Sequence, residues 1–247
     1  MSGQSRRVQL SPGYLLHHRP YRESGRILEV LVREHGRLTL FARGVSGPKS
    51  RLAAALQPFQ PLLLSFHLGR EAGQLSGAEC AETVSPLAPG SLMAAFYLNE
   101  LLLKLTSRHD PAPELFDDYR QALERFREGG PPERTLRLFE RRLLWSLGYG
   151  LTLSKESNGS LIEEGGFYRF RPSQGLYRVG ADDPGALAGR SLLALECEAL
   201  EGERALSDAR RLLKAALDEC LEGRELATRR VARAVAVARK SSHPERE

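Results

Sequence analysis

The chain has 247 residues, of which 41% are hydrophobic and 27% charged, and its formal net charge is +5. This composition is typical of a globular protein with one large or two ordinary domains. No apolar run approaches the ~18 residues of a membrane span and no apolar signal core follows the basic N-terminus, so we expect a cytosolic protein. The cysteines Cys80, Cys197 and Cys220 are scattered and odd in number, which argues against a disulfide framework and a zinc ribbon.

The surplus positive charge lies entirely in the first third of the chain. Residues 1–75 contain eleven basic and four acidic residues, a net charge of +7, whereas the remainder has 25 basic and 27 acidic residues, a net charge of −2. Such segregation favours a polyanionic partner for one domain only. A solvated basic surface without a partner is the alternative.

The pattern of residues 7–80 predicts a series of short β-strands. Apolar and β-branched residues alternate with polar ones between turn signals over residues 8–10, 13–18, 25–32, 38–41, 62–66 and 74–80. Roughly five short antiparallel strands in about 75 residues match a small closed barrel, of which the oligonucleotide-binding (OB) fold is the commonest. An SH3-like barrel would give a similar pattern, so the periodicity leaves both open.

A change of composition at residues 86–90 separates this barrel from a helical region. We predict an α+β chain of two domains, an OB-fold barrel over residues 1–82 and a mainly α-helical domain over residues 83–247. Helical spacing of apolar residues occurs over 91–105, 115–126, 132–147, 191–199, 207–221 and 229–238. Turn dipeptides and two facing strands predict a β-hairpin inserted at about residues 151–189. The helical leucine and phenylalanine stripes and Trp145 are expected in the core.

The sequence offers little for catalysis. It has no Gly-x-Ser-x-Gly, no Walker-type phosphate loop and no Gly-x-Gly-x-x-Gly after a strand. His17 and His18 are successive strand residues that point to opposite faces, which makes a shared metal site unfavourable. The acidic pairs 163–164 and 182–183 are typical of solvated turns. We therefore predict no catalytic residue, no metal and no cofactor.

Cations in two segments of the predicted barrel are candidates for binding nucleic acid. The loop before the fourth strand combines basic residues with glycines, which suits a grip on a phosphate backbone, and the segment before residue 25 adds an aromatic ring for base stacking. The predicted contacts are Arg19, Tyr21, Arg22, Arg43, Lys49 and Arg51. An ordinary surface loop is the alternative reading of the same residues.

Two further basic clusters lie in the helical region. Arg229 and Arg230 suit a second contact with nucleic acid or an acidic peptide, or they are favourable cations near helix C-termini. Arg134, Arg137 and Arg141 are spaced i, i+3, i+7 and share one face beside apolar residues. A cationic rim of this kind suits an acidic peptide that ends in an aromatic residue and a carboxylate.

Several stretches together resemble the RecO family of bacterial recombination mediators, which act in DNA repair. They are residues 18–24 (HRPYRES), 42–44 (ARG) with 56–64 (LQPFQPLLL), 97–102 (YLNELL), 137–140 (RLFE) with 147–150 (LGYG) and, more weakly, 223–230 (GRELATRR). Each stretch is short, but their order and spacing across the chain make the combination specific.

The resemblance implies a non-enzymatic protein with an N-terminal OB barrel and a helical C-terminal domain. It implies binding to single- and double-stranded DNA, annealing of complementary strands, and loading of the recombinase onto strands coated by single-stranded DNA-binding protein in the RecF-type pathway. The implied partners are RecR and the acidic C-terminal tail of the coating protein, for which Arg137 matches the family's motif. A monomer in the cytoplasm, associated with the nucleoid, is expected.

Many members of this family carry a four-cysteine zinc module in the region that corresponds to about residues 150–180. This sequence has no cysteine there, so we predict that the hairpin replaces the module and that no zinc binds. Two other functions suit the same barrel, a protein-interaction scaffold and an RNA-binding protein.

Overall fold

The computed structural model describes residues 6–45, 50–69 and 71–242, and its N-terminal part is a closed barrel. The strands are β1 (Arg7–Tyr21), β2 (Gly25–Val32), β3 (Gly36–Ala42), β4 (Leu62–His67) and β5 (Gly73–Cys80). Their order is β1-β2-β3-β5-β4, and β4 pairs back to β1. The predicted OB barrel is confirmed, and a parallel pairing of β3 with β5 closes it, whereas the other pairs are antiparallel.

Two predicted strands, residues 8–10 and 13–18, form the single long strand β1. Its pairing with β4 shifts register between Val8 and Ser11, and Leu10 inside the shift has a φ of 48°. A bulge bends a strand without ending it. The bent β1 can therefore pair with β2 along one part and with β4 along another, as closure of the barrel requires.

A short helix, α1 (Arg51–Ala55), lies in the segment predicted as a loop. Ser50 starts it, because its hydroxyl accepts a hydrogen bond from the Ala53 amide at 3.2 Å, as an N-cap does. Leu52 and Ala53 then pack against the apolar residues that fill the barrel. These core residues come from alternate positions of the strands, such as Leu28 and Val30 of β2.

The helical region follows, with its helices divided between two compact units. After a 3₁₀ turn (Pro89–Ser91) it contains α2 (Leu92–Leu105), α3 (Pro113–Glu128), α4 (Glu133–Ser146), α5 (Gly189–Glu196), α6 (Gly202–Leu221) and α7 (Ala227–Ser242). One unit comprises the described residues up to Glu128 and from Leu226 onward, and the other comprises residues 129–225. The domain boundary at residues 82 and 83 stays a prediction.

The unit of residues 129–225 contains the predicted hairpin. Strands β6 (Phe167–Arg171) and β7 (Gly175–Val179) form it, and β8 (Leu187–Ala188) pairs with the other edge of β6. The prediction that Trp145 belongs to the core is wrong, since its side chain is 71% exposed at the end of α4.

A buried polar cluster joins α2 and α3 to the barrel. The Asn99 side-chain amide donates to the Leu16 carbonyl at 2.9 Å, and its oxygen accepts from the Tyr119 hydroxyl at 2.6 Å. Leu16 lies at a second register shift of β1, between Leu15 and His17. Desolvation raises the pKa of Tyr119 far above its ordinary value, so the hydroxyl keeps its proton as the donor.

Replacing Tyr119 with phenylalanine removes that donor and leaves the buried Asn99 oxygen without it. Because an unmade hydrogen bond at a buried acceptor costs about 1–3 kcal/mol, we expect Tyr119→Phe to lower the free energy of unfolding by that amount. Denaturant titration measures the loss, with Tyr149→Phe at an exposed ring as the control. Equal unfolding midpoints for the two variants would contradict this role for the cluster.

Candidate nucleic-acid interface and partner site

The turn between β1 and β2 holds an exposed aromatic residue beside a cation. Tyr21 is 37% exposed, and its ring centroid lies 5.3 Å from that of Phe41 on β3. The guanidinium of Arg22 lies 5.2 Å from the Tyr21 ring centroid, within the range of a cation–π contact. Gly25 makes the turn tight, because a Cβ there would come within 2.8 Å of the Tyr21 carbonyl oxygen.

The end of β3 brings a second cation to the same end of the barrel. Arg43 is exposed and follows the last residue of β3, and the Val45 amide donates to the Ser24 carbonyl at 3.1 Å. This bond joins the exit from β3 to the β1–β2 turn. The structure therefore brings Tyr21, Arg22 and Arg43 together.

The structure describes the other predicted contacts of the barrel only in part. Arg19 is exposed on β1, paired with Ile27 at a position before the turn. Lys49 lies outside the described residues, and only the backbone of Arg51 is described, at the start of α1. The Ser50 hydroxyl donates to the Gly44 carbonyl at 3.0 Å, so the backbone before Arg51 is held close to the backbone that follows Arg43.

Other arginines of the barrel are engaged within the protein. Arg33 donates to Asp117 on α3 at 2.8 Å, and this hydrogen bond lowers the pKa of the carboxyl. Arg37 donates to Glu29 at 2.8 Å and to the Thr106 carbonyl at 2.7 Å. The charge surplus of the first third thus contains structural arginines as well as the exposed ones.

The C-terminal cations lie on α7, which is anchored to α2. The Glu100 carboxylate accepts hydrogen bonds from the amides of Ala227 and Thr228 at 2.8 and 2.9 Å. Burial alone would raise the pKa of Glu100, but the hydrogen bonds from Thr228 and Ala227 outweigh it and hold the pKa below its usual value. Arg229 lies over the Tyr97 ring, 5.8 Å from its centroid, whereas Arg230 is exposed.

The three arginines predicted to share a face of α4 do not have the same environment. Arg134 donates to the Glu198 carbonyl at 3.0 Å, and Arg141 forms ion pairs at 3.4 Å with Glu196 and Glu198. Arg137 is only 8% exposed and donates to the buried Glu140 at 2.6 Å.

Sequence reasoning missed the acidic partners of this cluster. Arg142 also binds Glu198, with Nε 2.8 Å from the carboxylate. The spacing i, i+3 of Arg137 and Glu140 was a usable signal for an ion pair on one helix face. Glu196 and Glu198 are distant in sequence from α4, so no local pattern pointed to them.

No group of three or more His, Cys, Asp or Glu residues among those the structure describes is arranged to hold a metal ion. Likewise, none of the helices in the described ranges combines the length and the apolar character that a membrane crossing demands.

Comparison with known proteins matches both parts of the chain to one family. The family models Recombination protein O N terminal and Recombination protein O C terminal match residues 8–84 and 88–230. A DNA repair protein RecO of Burkholderia pseudomallei (strain 1710b) is 39% identical over 228 residues, 91% of this chain and 83% of that protein. Those of Methylococcus capsulatus and Nitrosococcus oceani are 39% and 42% identical, over 94% and 84% of this chain and 96% and 86% of their own lengths.

The buried Arg137–Glu140 pair makes single substitutions at either position costly. Glu140→Ala leaves a buried guanidinium without its carboxylate, and we expect the free energy of unfolding to fall by about 3–5 kcal/mol. The double variant Arg137→Met with Glu140→Met removes both charges and keeps the volume, so it should be close to neutral. Urea unfolding distinguishes them, and equal destabilisation of the two variants would contradict the pairing.

Proposed function

This chain belongs to the recombination protein O (RecO) family, and we propose that it anneals complementary DNA strands and helps to load the recombinase onto coated single strands. Family membership gives it a role in DNA repair and recombination. The proposed partners are single- and double-stranded DNA, the C-terminal tail of the single-stranded DNA-binding protein, and RecR. The proposed form is a monomer in the cytoplasm, associated with the nucleoid.

The observation that carries this proposal is the exposed cluster at one end of the barrel. Tyr21, Arg22 and Arg43 share that end, and a main-chain hydrogen bond holds their two segments together. An aromatic ring beside cations can stack a base while the cations contact phosphates. Under the proposal, the barrel of residues 1–82 supplies this contact together with Arg19, Lys49 and Arg51.

Annealing requires two polyanions to approach each other, so a protein that promotes it must screen both strands. Cations that replace condensed counterions do this, and the binding is strongly salt-dependent as a result. In the proposed arrangement the barrel holds one strand and the exposed Arg230 of α7, with Arg229 beside it, contacts the second strand or a duplex.

The proposed contact with the coating protein uses the arginines of α4. Arg134 and Arg141 lie near Glu198, and the Nε of Arg137 is buried without a hydrogen-bond partner among the described residues. Arg134 is exposed and can give a peptide carboxylate a charge-assisted hydrogen bond, and the Arg137 donor becomes available to that carboxylate once the peptide displaces the side chains that cover it. Holding the tail while the barrel grips DNA would loosen the coat where annealing occurs.

Reversing the charge of Arg43, Lys49 and Arg51 to glutamate tests the proposed DNA contact. We expect weaker binding to a single-stranded oligonucleotide and slower annealing of complementary strands coated with the cognate binding protein. Because each phosphate contact on a single strand contributes about 0.7 to the slope of log affinity against log salt, the slope should flatten by up to about 2. Binding at several salt concentrations, with RNA as a competitor, gives the slope.

The matched control reverses three cations of the other unit, Arg190, Arg210 and Lys214, which changes the net charge equally. This control should keep most of the DNA affinity, and thermal unfolding should show that both triple variants are folded. Equal affinity of the barrel variant and the unmodified chain at moderate salt would refute the contact. Tighter binding of RNA than of DNA would favour the RNA-binding alternative.

The double variant Arg137→Met with Glu140→Met tests the proposed tail site without leaving an orphan charge. Charge-assisted hydrogen bonds contribute about 1.5–3 kcal/mol, so we expect a tail peptide to bind about ten- to a hundredfold more weakly. Affinity for uncoated DNA should stay unchanged. Fluorescence anisotropy with a labelled tail peptide measures the affinity for the peptide. Parallel losses of peptide affinity and DNA affinity would contradict the proposal that the two ligands bind at separate sites.

A further inference from the structure

The only tryptophan of the chain, Trp145, is held in an exposed position by the turn that ends α4. The amides of Gly148 and Tyr149 donate to the carbonyls of Trp145 and Leu144 at 3.0 and 2.9 Å, which terminates the helix. Gly150 then passes against the indole, and a Cβ at residue 150 would lie 2.7 Å from its Cε3. The backbone therefore supports the ring from one side, while 71% of the side chain stays exposed.

A cavity of about 480 Å³ opens beside this ring. Tyr149 and Gly150 are among its lining residues, and Gly150 also passes against the indole, so Trp145 adjoins the cavity through Gly150 without lining it. Apolar side chains form much of the lining, including those of Leu153 and Leu176, which are buried. Tryptophan is one of the residues enriched at the hot spots of protein–protein interfaces, and hot-spot side chains typically lie at apolar pockets.

The charges that line the cavity favour a cationic ligand over a polyanion. The lining contains the carboxylates of Glu156 and Glu219 against the single, exposed ammonium of Lys155. The Ser173 hydroxyl donates to Glu219, and the Arg178 amide donates to Glu156 at 3.2 Å. Both donors are neutral, and the Arg178 guanidinium, which also attracts Glu156, is already paired with Glu163 at 2.6 Å, so negative charge remains at the site.

The arginines that precede Trp145 on α4 do not reverse this sign. Arg141 and Arg142 are paired with Glu196 and Glu198. Their charges are therefore compensated within the same unit. DNA or an acidic tail would meet the carboxylates that line the cavity, whereas a partner with a cation beside an apolar anchor would meet complementary charges.

We propose that Trp145 and the adjoining cavity form a docking site, the Trp145 pocket, for a protein partner that inserts an apolar side chain flanked by basic residues. The anchor fills the cavity and stacks on Tyr149 or the indole, and the flanking cation pairs with Glu219 or Glu156. The site does not depend on the proposed DNA and tail contacts, because it selects ligands of the opposite charge.

Labelled pentapeptides added to the full chain test the Trp145 pocket. One peptide has a central phenylalanine with arginines on both sides, a second has glutamates in place of the arginines, and a third has a central alanine between arginines. We expect the first to bind saturably by anisotropy and to shift the emission of Trp145, the intrinsic probe of this site. The glutamate and alanine peptides should each bind at least about tenfold more weakly.

Trp145→Ala should weaken the phenylalanine–arginine peptide about tenfold or more, as expected for a hot-spot residue. The matched control is Leu161→Ala, which removes a 68% exposed apolar side chain of the same unit that does not line the cavity. Both variants should unfold at the temperature of the unmodified chain, since both side chains are exposed.

Four results would overturn the proposal. The first is no saturable change in anisotropy with the phenylalanine–arginine peptide, and the second is equal or tighter binding of the glutamate peptide. The third is a shift of the Trp145 emission caused by a single-stranded oligonucleotide, and the fourth is a shift of that emission that depends on protein concentration alone. The third result would assign the ring to DNA, and the fourth would assign it to a second copy of the chain. The triple variant of the barrel cations tests the DNA contact of the barrel, so a failure of the Trp145 pocket and a failure of the DNA proposal can be told apart.

Discussion

The unit built around the barrel depends on satisfying the buried side chain of Asn99. A buried amide without partners is costly, and here its two ends bond to different elements, the Leu16 carbonyl of β1 and the Tyr119 hydroxyl of α3. The register shift beside Leu16 makes that carbonyl available outside the regular ladder. The next residue, Glu100, caps α7. Two consecutive residues of α2 thus fix the barrel, α3 and α7 to one helix.

The arginines of this unit fall into two groups, those that bind other parts of the protein and those that are exposed. Arg33 and Arg37 bind carboxylates and a carbonyl within the unit, and they stabilise its packing. Arg22 and Arg43 lie at a barrel end where a main-chain bond and the Ser50 hydroxyl hold the backbone instead. Their side chains are therefore not required for the fold, which makes charge reversal there a test of binding rather than of stability.

The barrel and the hairpin could be predicted because their information is local: alternation of apolar residues and turn signals specify strands directly. The sequence could not predict which arginines are structural and which are exposed. Charge counting does not reveal that the partner of Arg33 is Asp117, 84 positions away. Trp145 was assigned to the core on residue type, but it lies exposed near the end of α4, with Gly150 against one side of its ring. Helix α1 was missed because five residues are too few for a periodic signal.

For the proposed tail site, the acidic neighbours set the energetics. Arg141 and Arg142 already bind Glu196 and Glu198, so a tail carboxylate at these positions would exchange one ion pair for another. Such an exchange gains little, because the desolvated charges are similar before and after. The net affinity of an acidic tail must then come from its apolar end and from the Arg137 donor, which has no partner among the described residues. Charge at this site would therefore set the specificity for an acidic ligand, while apolar contact would supply most of the affinity.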